Sequence, residues 1–184
     1  LIEQTIPGFE EYNQRIRHPG GFRMPLPPTE RIWPTATGKA MFSVFKGVHE
    51  NVVVEGEDVM RLVTLRSHDQ YNTTIYAMND RYRGVFGRRD VLFMNEQDMA
   101  AQGLEHGDRV DIHTALPDSE LTLEDITVVA YGIAPGTVGA YYPEANVLVP
   151  LNYLDEESGT PSYKSVPVRL TLRSKEIRPL AGVR

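Results

Sequence analysis

Period-two alternation between glycine turns, recurring through the C-terminal two thirds of the chain, most narrows what this sequence can fold into. LEHGDRVDIHT turns at Gly107–Asp108 and then sets Val110 and Ile112 against Asp111 and His113, the signature of a half-exposed strand. LTLEDITVVAYG continues the alternation through Leu121, Leu123, Ile126, Val128 and Val129, PGTVGAYYP adds a turn and a strand, and SVPVRLTLR places Val166, Val168, Leu170 and Leu172 on one face. Leu62 to Leu65 and VLFM read as short buried strands. Between them, Asn95 is an N-cap for EQDMAAQ, with Asp98 where a capping box carries Glu, and Gly103 supplies the left-handed stop. About six short strands and one small helix predict a closed, mainly β barrel rather than a sheet of βαβ units.

The N-terminal third has a different character. Phe9, Tyr12 and Ile16 fall at helical spacing, and Pro19, Gly20 and Gly21 stop the helix, so the whole chain is expected to hold one or two short helices. Gly20 to Pro34 is too rich in proline and glycine to sustain a ladder or a helix and is expected to run over the surface or to dock as an extended strap, with Trp33 as its candidate pin. TATGKAMFSVF reads as a turn into a strand that buries Met41, Val44 and Phe45. The resulting division is an extended lead-in over 1–56, a barrel over 57–175 and a tail over 176–184.

Composition removes several function classes. A formal charge of −6 and a pI near 5.4 argue against a nucleic-acid partner, which normally demands a basic domain or stripe. The absence of cysteine excludes disulfides, thiolate zinc sites, cysteine-ligated iron–sulfur clusters and cysteine nucleophiles, and fits a reducing, cytoplasmic setting. No apolar run approaches the roughly 18 residues that cross a bilayer, so no membrane partner is expected. The first residue is Leu and the opening lacks a signal-peptide layout; an excised piece of a longer protein is the expectation. Phosphate-loop, GxSxG, HxxxH and calcium-loop spacings are missing, leaving no catalytic residue and no metal ligand to name.

Two polar clusters remain. In RLVTLRSHDQYNTT an apolar strand ends in an unbroken run of hydrogen-bonding side chains, and NYLDEESGTPSYK forms a second cluster ending at Lys164. Barrel closure brings strand ends together, so Arg66 and Lys164 are placed to meet anionic oxygens while Asp69, Gln70, Asn72 and Tyr163 read neutral polar edges of a large polar cofactor. The competing reading makes Asp69 and Asn72 turn residues, Thr73 a cap and Lys164 a solvated side chain. A third polar stretch, NDRYRGVFGRRD, carries Arg81, Arg83, Arg88 and Arg89 beside Asp80 and Asp90; it reads as a solvated loop with internal ion pairs or as a surface facing phosphate or another domain.

Three ordered motifs then carry a family resemblance: TLRSHDQYNTT, NEQDMAAQGLEHGDRVDIHT, and EANVLVPLNYLDEESGTPSYK with its terminal strand. Across about Thr64 to Leu172, with TGKAMF ahead of it, the chain resembles the C-terminal molybdopterin-dinucleotide-binding domain of formate-dehydrogenase-like molybdopterin oxidoreductases. The resemblance implies a double-psi β-barrel that caps a bis(molybdopterin guanine dinucleotide) cofactor. Arg66, His68, Asp69, Gln70, Tyr71, Asn72 and Thr73 would wrap its pterin and phosphate groups, with Asn146, Tyr163 and Lys164 approaching from the other side. The molybdenum ligand and substrate channel belong to preceding domains of the same parent chain, so this domain alone is not catalytic and holds free cofactor weakly. A double-psi barrel that recruits proteins without cofactor is the alternative reading. A self-cleaving decarboxylase of related shape lacks its Gly-Ser dipeptide here.

Overall fold

The structure, a computed structural model, describes residues 1–42, 44, 56, 58–155 and 158–175, and the chain divides into two compact units, Leu1–Val48 and His49–Arg184. The first unit holds two four-residue helices, α1 (Ile2–Thr5) and α2 (Tyr12–Arg15), and a 3-10 turn at Pro27–Glu30, none with a buried residue. Its cohesion is aromatic: Phe9 lies 5.7 Å from Tyr12 and 5.8 Å from Phe22, and the Arg15 guanidinium sits 4.0 Å over the Phe22 ring. Ile16 does not join this cluster's interior and is 46% exposed, because a four-residue helix is too short to carry an apolar stripe. Trp33 is half-buried. The turn at Thr35 to Lys39 forms, with Thr35 Oγ1 donating to the Lys39 carbonyl at 2.8 Å. Of the strand expected after it, Met41, Phe42 and Val44 are described; none is in a strand, and Met41 and Val44 are exposed. Phe45 and the proposed tail, 176–184, lie outside the described residues.

The second unit is a closed six-stranded barrel, mainly β and of the double-psi kind. Its elements are β1 (Met60–Leu65), β2 (Val91–Met94), α3 (Glu96–Ala101), β3 (Arg109–Thr114), β4 (Thr122–Ala130), β5 (Thr137–Tyr141) and β6 (Val166–Ser174). Around the barrel the order is β1-β5-β2-β4-β3-β6; β1 pairs parallel with β5 and β2 with β4, and the remaining pairs are antiparallel. Among the described residues no helix is long and apolar enough to cross a membrane.

Period-two geometry explains two layers of packing. Leu92 and Met94 point into the barrel with Leu62, Val110, Ile112, Val128 and Val138. Val91 and Phe93, on the opposite face of β2, join Val85, Val129 and Tyr141 in a second cluster outside it. The outer layer, supplied by the loop around Val85, also ends the alternation expected along β4: Ile126, Thr127, Val128 and Val129 are all buried. Thr127 tolerates burial because its hydroxyl accepts from Arg88 at 2.5 Å and from Arg109. On β6, Val166 and Val168 are buried but Leu172 is 42% exposed, since beyond Val168 the strand pairs with β3 and no longer with β1.

Asn95 caps α3 as expected, its side chain accepting from Gln97 N at 2.9 Å, and Gly103 ends the segment at φ +67°. No capping box closes, because Asp98 Oδ2 instead accepts from Gly136 N at 2.8 Å and ties the helix to the β4–β5 turn. Gly139 is closely packed: a Cβ there would meet Leu65 Cδ1 at 2.7 Å. Gly139→Val is therefore expected to lower unfolding stability by about 1–3 kcal/mol through overpacking, read as a fall in the urea midpoint.

Candidate functional site

The parallel register of β1 and β5 sets Leu65 opposite Tyr141, so the two strands leave the barrel at the same end. Their first residues outside, Arg66 and Tyr142, meet there: Arg66 Nε donates to the Tyr142 hydroxyl. A third segment returns to this end before β6, where Thr64 N donates to the Tyr163 carbonyl at 3.2 Å and Lys164 Nζ donates to the Thr64 carbonyl. The three segments line an open cavity of about 760 Å³.

Its walls differ in chemistry. Arg66, Asn72 and Thr73 form one side, Tyr142 and Asn146 the second, and Tyr163 and Lys164 the third, with Val149, Pro150, Leu151 and Pro161 making an apolar stretch. Both charged groups are cations, and no described carboxylate lines the space. That local sign opposes the chain's formal charge of −6, and anionic groups are what such a pair attracts. Burial pulls the Lys164 ammonium below the ordinary lysine range; Tyr142 opposes that shift and the nearby Arg66 charge adds to it. Thr64, on the same wall, has a buried hydroxyl with no hydrogen-bond partner among the described residues. Among those residues no group of three metal-ligating side chains is close enough to hold a metal ion.

Of the residues singled out from the sequence, Arg66, Asn72, Thr73, Asn146, Tyr163 and Lys164 are brought together on this cavity. The other four do different work. Gln70 is buried: its Oε1 accepts from Ser67 N at 2.9 Å, and its Nε2 donates to the carbonyls of Tyr142 at 2.7 Å and Asn72 at 2.8 Å, which shapes the loop from inside. Asp69 and Asn72 adopt left-handed φ of 62° and 51°, so both are turn residues, Asn72 while also facing the cavity. Asp69 points to solvent, 3.7 Å from Arg81. Tyr71 is 72% exposed. His68 stacks on Tyr82 at 4.1 Å and sets Nδ1 3.2 Å from Asp80 Oδ1.

The arginine-rich loop is an ion-paired layer rather than a lining of this cavity. Arg83 meets Asp80 at 2.6 Å, Arg88 meets Asp90 at 2.6 Å and Arg89 meets Glu144 at 2.6 Å. It is not uniformly solvated either, because Asp80 and Arg89 are buried. Arg81 and Arg83 line a separate cavity of about 510 Å³ with His106 and Tyr131. Sequence reasoning missed Tyr142 and Thr64 on the main cavity and the buried role of Arg89; the parallel β1–β5 register, which no local pattern announces, is what places them.

A six-stranded barrel whose strand ends frame a cationic cavity defines a polar-ligand-binding domain. A model of the molydopterin dinucleotide binding domain matches residues 60–167, and the chain belongs to that family. It is 45% identical over 172 residues to Protein YdeP of Escherichia coli strain K12, covering 92% of this chain and 23% of that protein. It is also 46% identical over 175 residues to the uncharacterized oxidoreductase Rv2900c of Mycobacterium tuberculosis, covering 92% and 22%. The chain thus spans under a quarter of these relatives' length. Among solved structures, acetylene hydratase from Pelobacter acetylenicus aligns with 62% of this chain and 18% of its own, at a TM-score of 0.45 and 15% identity.

The loop that forms the first wall is held by a charge whose titration is measurable. Burial pushes the Asp80 carboxyl up, but hydrogen bonds from Arg83 and Tyr141, with the Arg83 charge, outweigh it and hold the group below the ordinary aspartate range. Burial and the Asp80 bond push the Tyr141 hydroxyl well above the tyrosine range. A depressed folded-state pKa gives stability that is present above the unfolded value of about 3.9 and lost as pH falls through the folded value. Urea midpoints are therefore expected to drop at acidic pH, and Asp80→Asn to flatten that drop while costing about 3 kcal/mol at neutral pH by unpairing Arg83.

Proposed function

We propose that this chain is the cofactor-binding domain of a larger molybdenum-dependent oxidoreductase resembling formate dehydrogenase alpha subunits, and that its cavity holds part of a bis(molybdopterin guanine dinucleotide) cofactor. One observation carries the reading: Arg66 and Lys164 converge on a 760 Å³ cavity with no described carboxylate, in a chain of the dinucleotide-binding family. The size lies within the range of cofactor pockets, about 300–1,000 Å³. The donors fit as well. Arg66 and Lys164 take diphosphate oxygens, Asn72, Thr73 and Asn146 read polar edges, and the Thr64 hydroxyl has a hydrogen bond still to give.

When bound, such a cofactor supplies the redox chemistry. This chain's residues bind and orient: the two cations neutralise phosphate charge, and the Val149 to Leu151 stretch with Pro161 excludes water from one side. The exposed Tyr71, Ile75, Met78 and Tyr82 supply a surface that further domains of the same polypeptide cover, a reading supported by the chain's small share of its relatives' length.

Titrating the 184-residue chain with guanosine diphosphate, followed by amide NMR, tests the cavity assignment. Shifts are expected at Arg66, Asn72, Thr73, Asn146, Tyr163 and Lys164, binding should weaken with salt, and Arg66→Ala should weaken it about ten-fold, which is about 1.4 kcal/mol. Cytidine diphosphate should bind less well. Absence of shifts at millimolar nucleotide, or shifts confined to the Arg81–His106 cavity, would overturn the reading.

A further inference from the structure

Arg89 is a buried arginine, 4% exposed, that lines neither cavity. Its guanidinium lies between two rings, 4.2 Å from the centre of Tyr76 and 4.8 Å from that of Tyr141. Each nitrogen of the fork is bonded. Nε donates to Glu144 Oε1 at 2.6 Å; Nη1 donates to Ser67 Oγ at 2.9 Å; Nη2 is shared among Tyr142 O at 2.9 Å, Gln70 Oε1 at 3.1 Å and Glu144 Oε2 at 3.1 Å.

These acceptors belong to two segments only. Ser67 and Gln70 lie in the loop leaving β1, which carries Arg66, Asn72 and Thr73 to the cavity. Tyr142 and Glu144 lie in the turn leaving β5, which carries Tyr142 and Asn146 to its other side. A planar fork with fixed donor directions holds two segments at a set separation, a task the single ammonium of lysine cannot perform. Gln70 reinforces the junction through Nε2 to Tyr142 O, and its own Oε1 is aimed by Arg89 and by Ser67 N.

We infer that Arg89 is the positioning residue of the cavity: without touching a ligand, it fixes the Arg66–Thr73 wall against the Tyr142–Asn146 wall, so that both grip one molecule. The identity of that molecule rests on the cofactor reading above; the coupling of the walls does not. Loss of the fork leaves the Gln70 Nε2–Tyr142 carbonyl and Arg66 Nε–Tyr142 hydroxyl bonds as the remaining side-chain ties described between the two walls, which loosens one against the other, while the barrel core, packed separately around Leu62, Ile112 and Val128, stays formed.

The test uses the whole chain, with Arg89→Lys set against Ile112→Val, a core substitution elsewhere in the barrel. Guanosine diphosphate affinity is measured for each, alone and with Arg66→Ala. Arg66→Ala is expected to cost about ten-fold in the unmodified and I112V backgrounds and less than about two-fold in R89K, because a wall out of place gains nothing from its cation. An equal cost in all three backgrounds overturns the inference, as does R89K affinity within two-fold of the unmodified chain. Hydrogen exchange decides the matter independently of any ligand. Protection at 67–72 and 142–146 should fall together in R89K and hold in I112V, and unchanged protection at either segment contradicts the coupling. Should R89K fail to fold, Ser67→Ala removes one arm of the fork and is expected to loosen 142–146; no change there sinks the inference. Nucleotide binding absent from the unmodified chain, with the exchange result as expected, would fault the cofactor reading and leave the positioning role standing.

Discussion

Parallel pairing of β1 with β5 is the constraint from which the rest of the site follows. Antiparallel neighbours leave a barrel at opposite ends; a parallel pair in register, Leu65 beside Tyr141, delivers both chain exits to the same place. Arg66 and Tyr142 are then neighbours although 76 residues separate them. Gly139 on β5 leaves room for the Leu65 side chain of β1, which an added Cβ would meet at 2.7 Å. The segment before β6 reaches the same end by bonding to Thr64 and supplies the cavity's third wall.

A second layer keeps that arrangement in place. The loop between β1 and β2 covers the outer face of β2, β4 and β5 with Val85, and it buries two charged groups, Asp80 and Arg89. Neither is left unpaired: Asp80 is met by Arg83, Tyr141 and His68, and Arg89 by Glu144, Ser67, Gln70 and Tyr142. Buried ion pairs add little net stability over apolar packing, whereas removing one partner costs about 3–5 kcal/mol. Their effect is to select one geometry. Here both networks reach into the loop after β1, Asp80 through His68 and Arg89 through Ser67 and Gln70, so the polar loop that faces the cavity is anchored from behind.

The strands were readable in the sequence because their burial alternates or runs unbroken over a few residues, and α3 because Asn95 and Gly103 punctuate it. The double-sided burial of β4 was not, since Thr127, a polar residue between Ile126 and Val128, takes the outward position of the alternation until the loop around Val85 folds over that face. Met41 and Val44 are exposed although they sit in an apolar run, because periodicity marks residues that can be buried and does not supply the partner that buries them. Within the site, Arg66 and Lys164 stood out as cations at strand ends. Gln70 lies in the same loop as the cavity-lining Asn72 and Thr73, yet its side chain turns inward to Tyr142 O and Ser67 N. Arg89 sits in a run of charged residues, where arginine is ordinarily a surface residue, and only the distant acceptors on Glu144 and Tyr142 reveal it as buried. Contacts made across 53 and 55 residues of chain leave no local trace.

The cavity at the shared exit of β1 and β5 is proposed to receive the nucleotide end of a pterin dinucleotide. Photolabelling the chain with 8-azidoguanosine diphosphate and mapping the adducts by mass spectrometry addresses it most directly. Adducts are expected within 66–73, 142–151 or 161–164, suppressed by unlabelled guanosine diphosphate. Adducts concentrated at 81–86 or around His106, or labelling that excess nucleotide does not suppress, would contradict it.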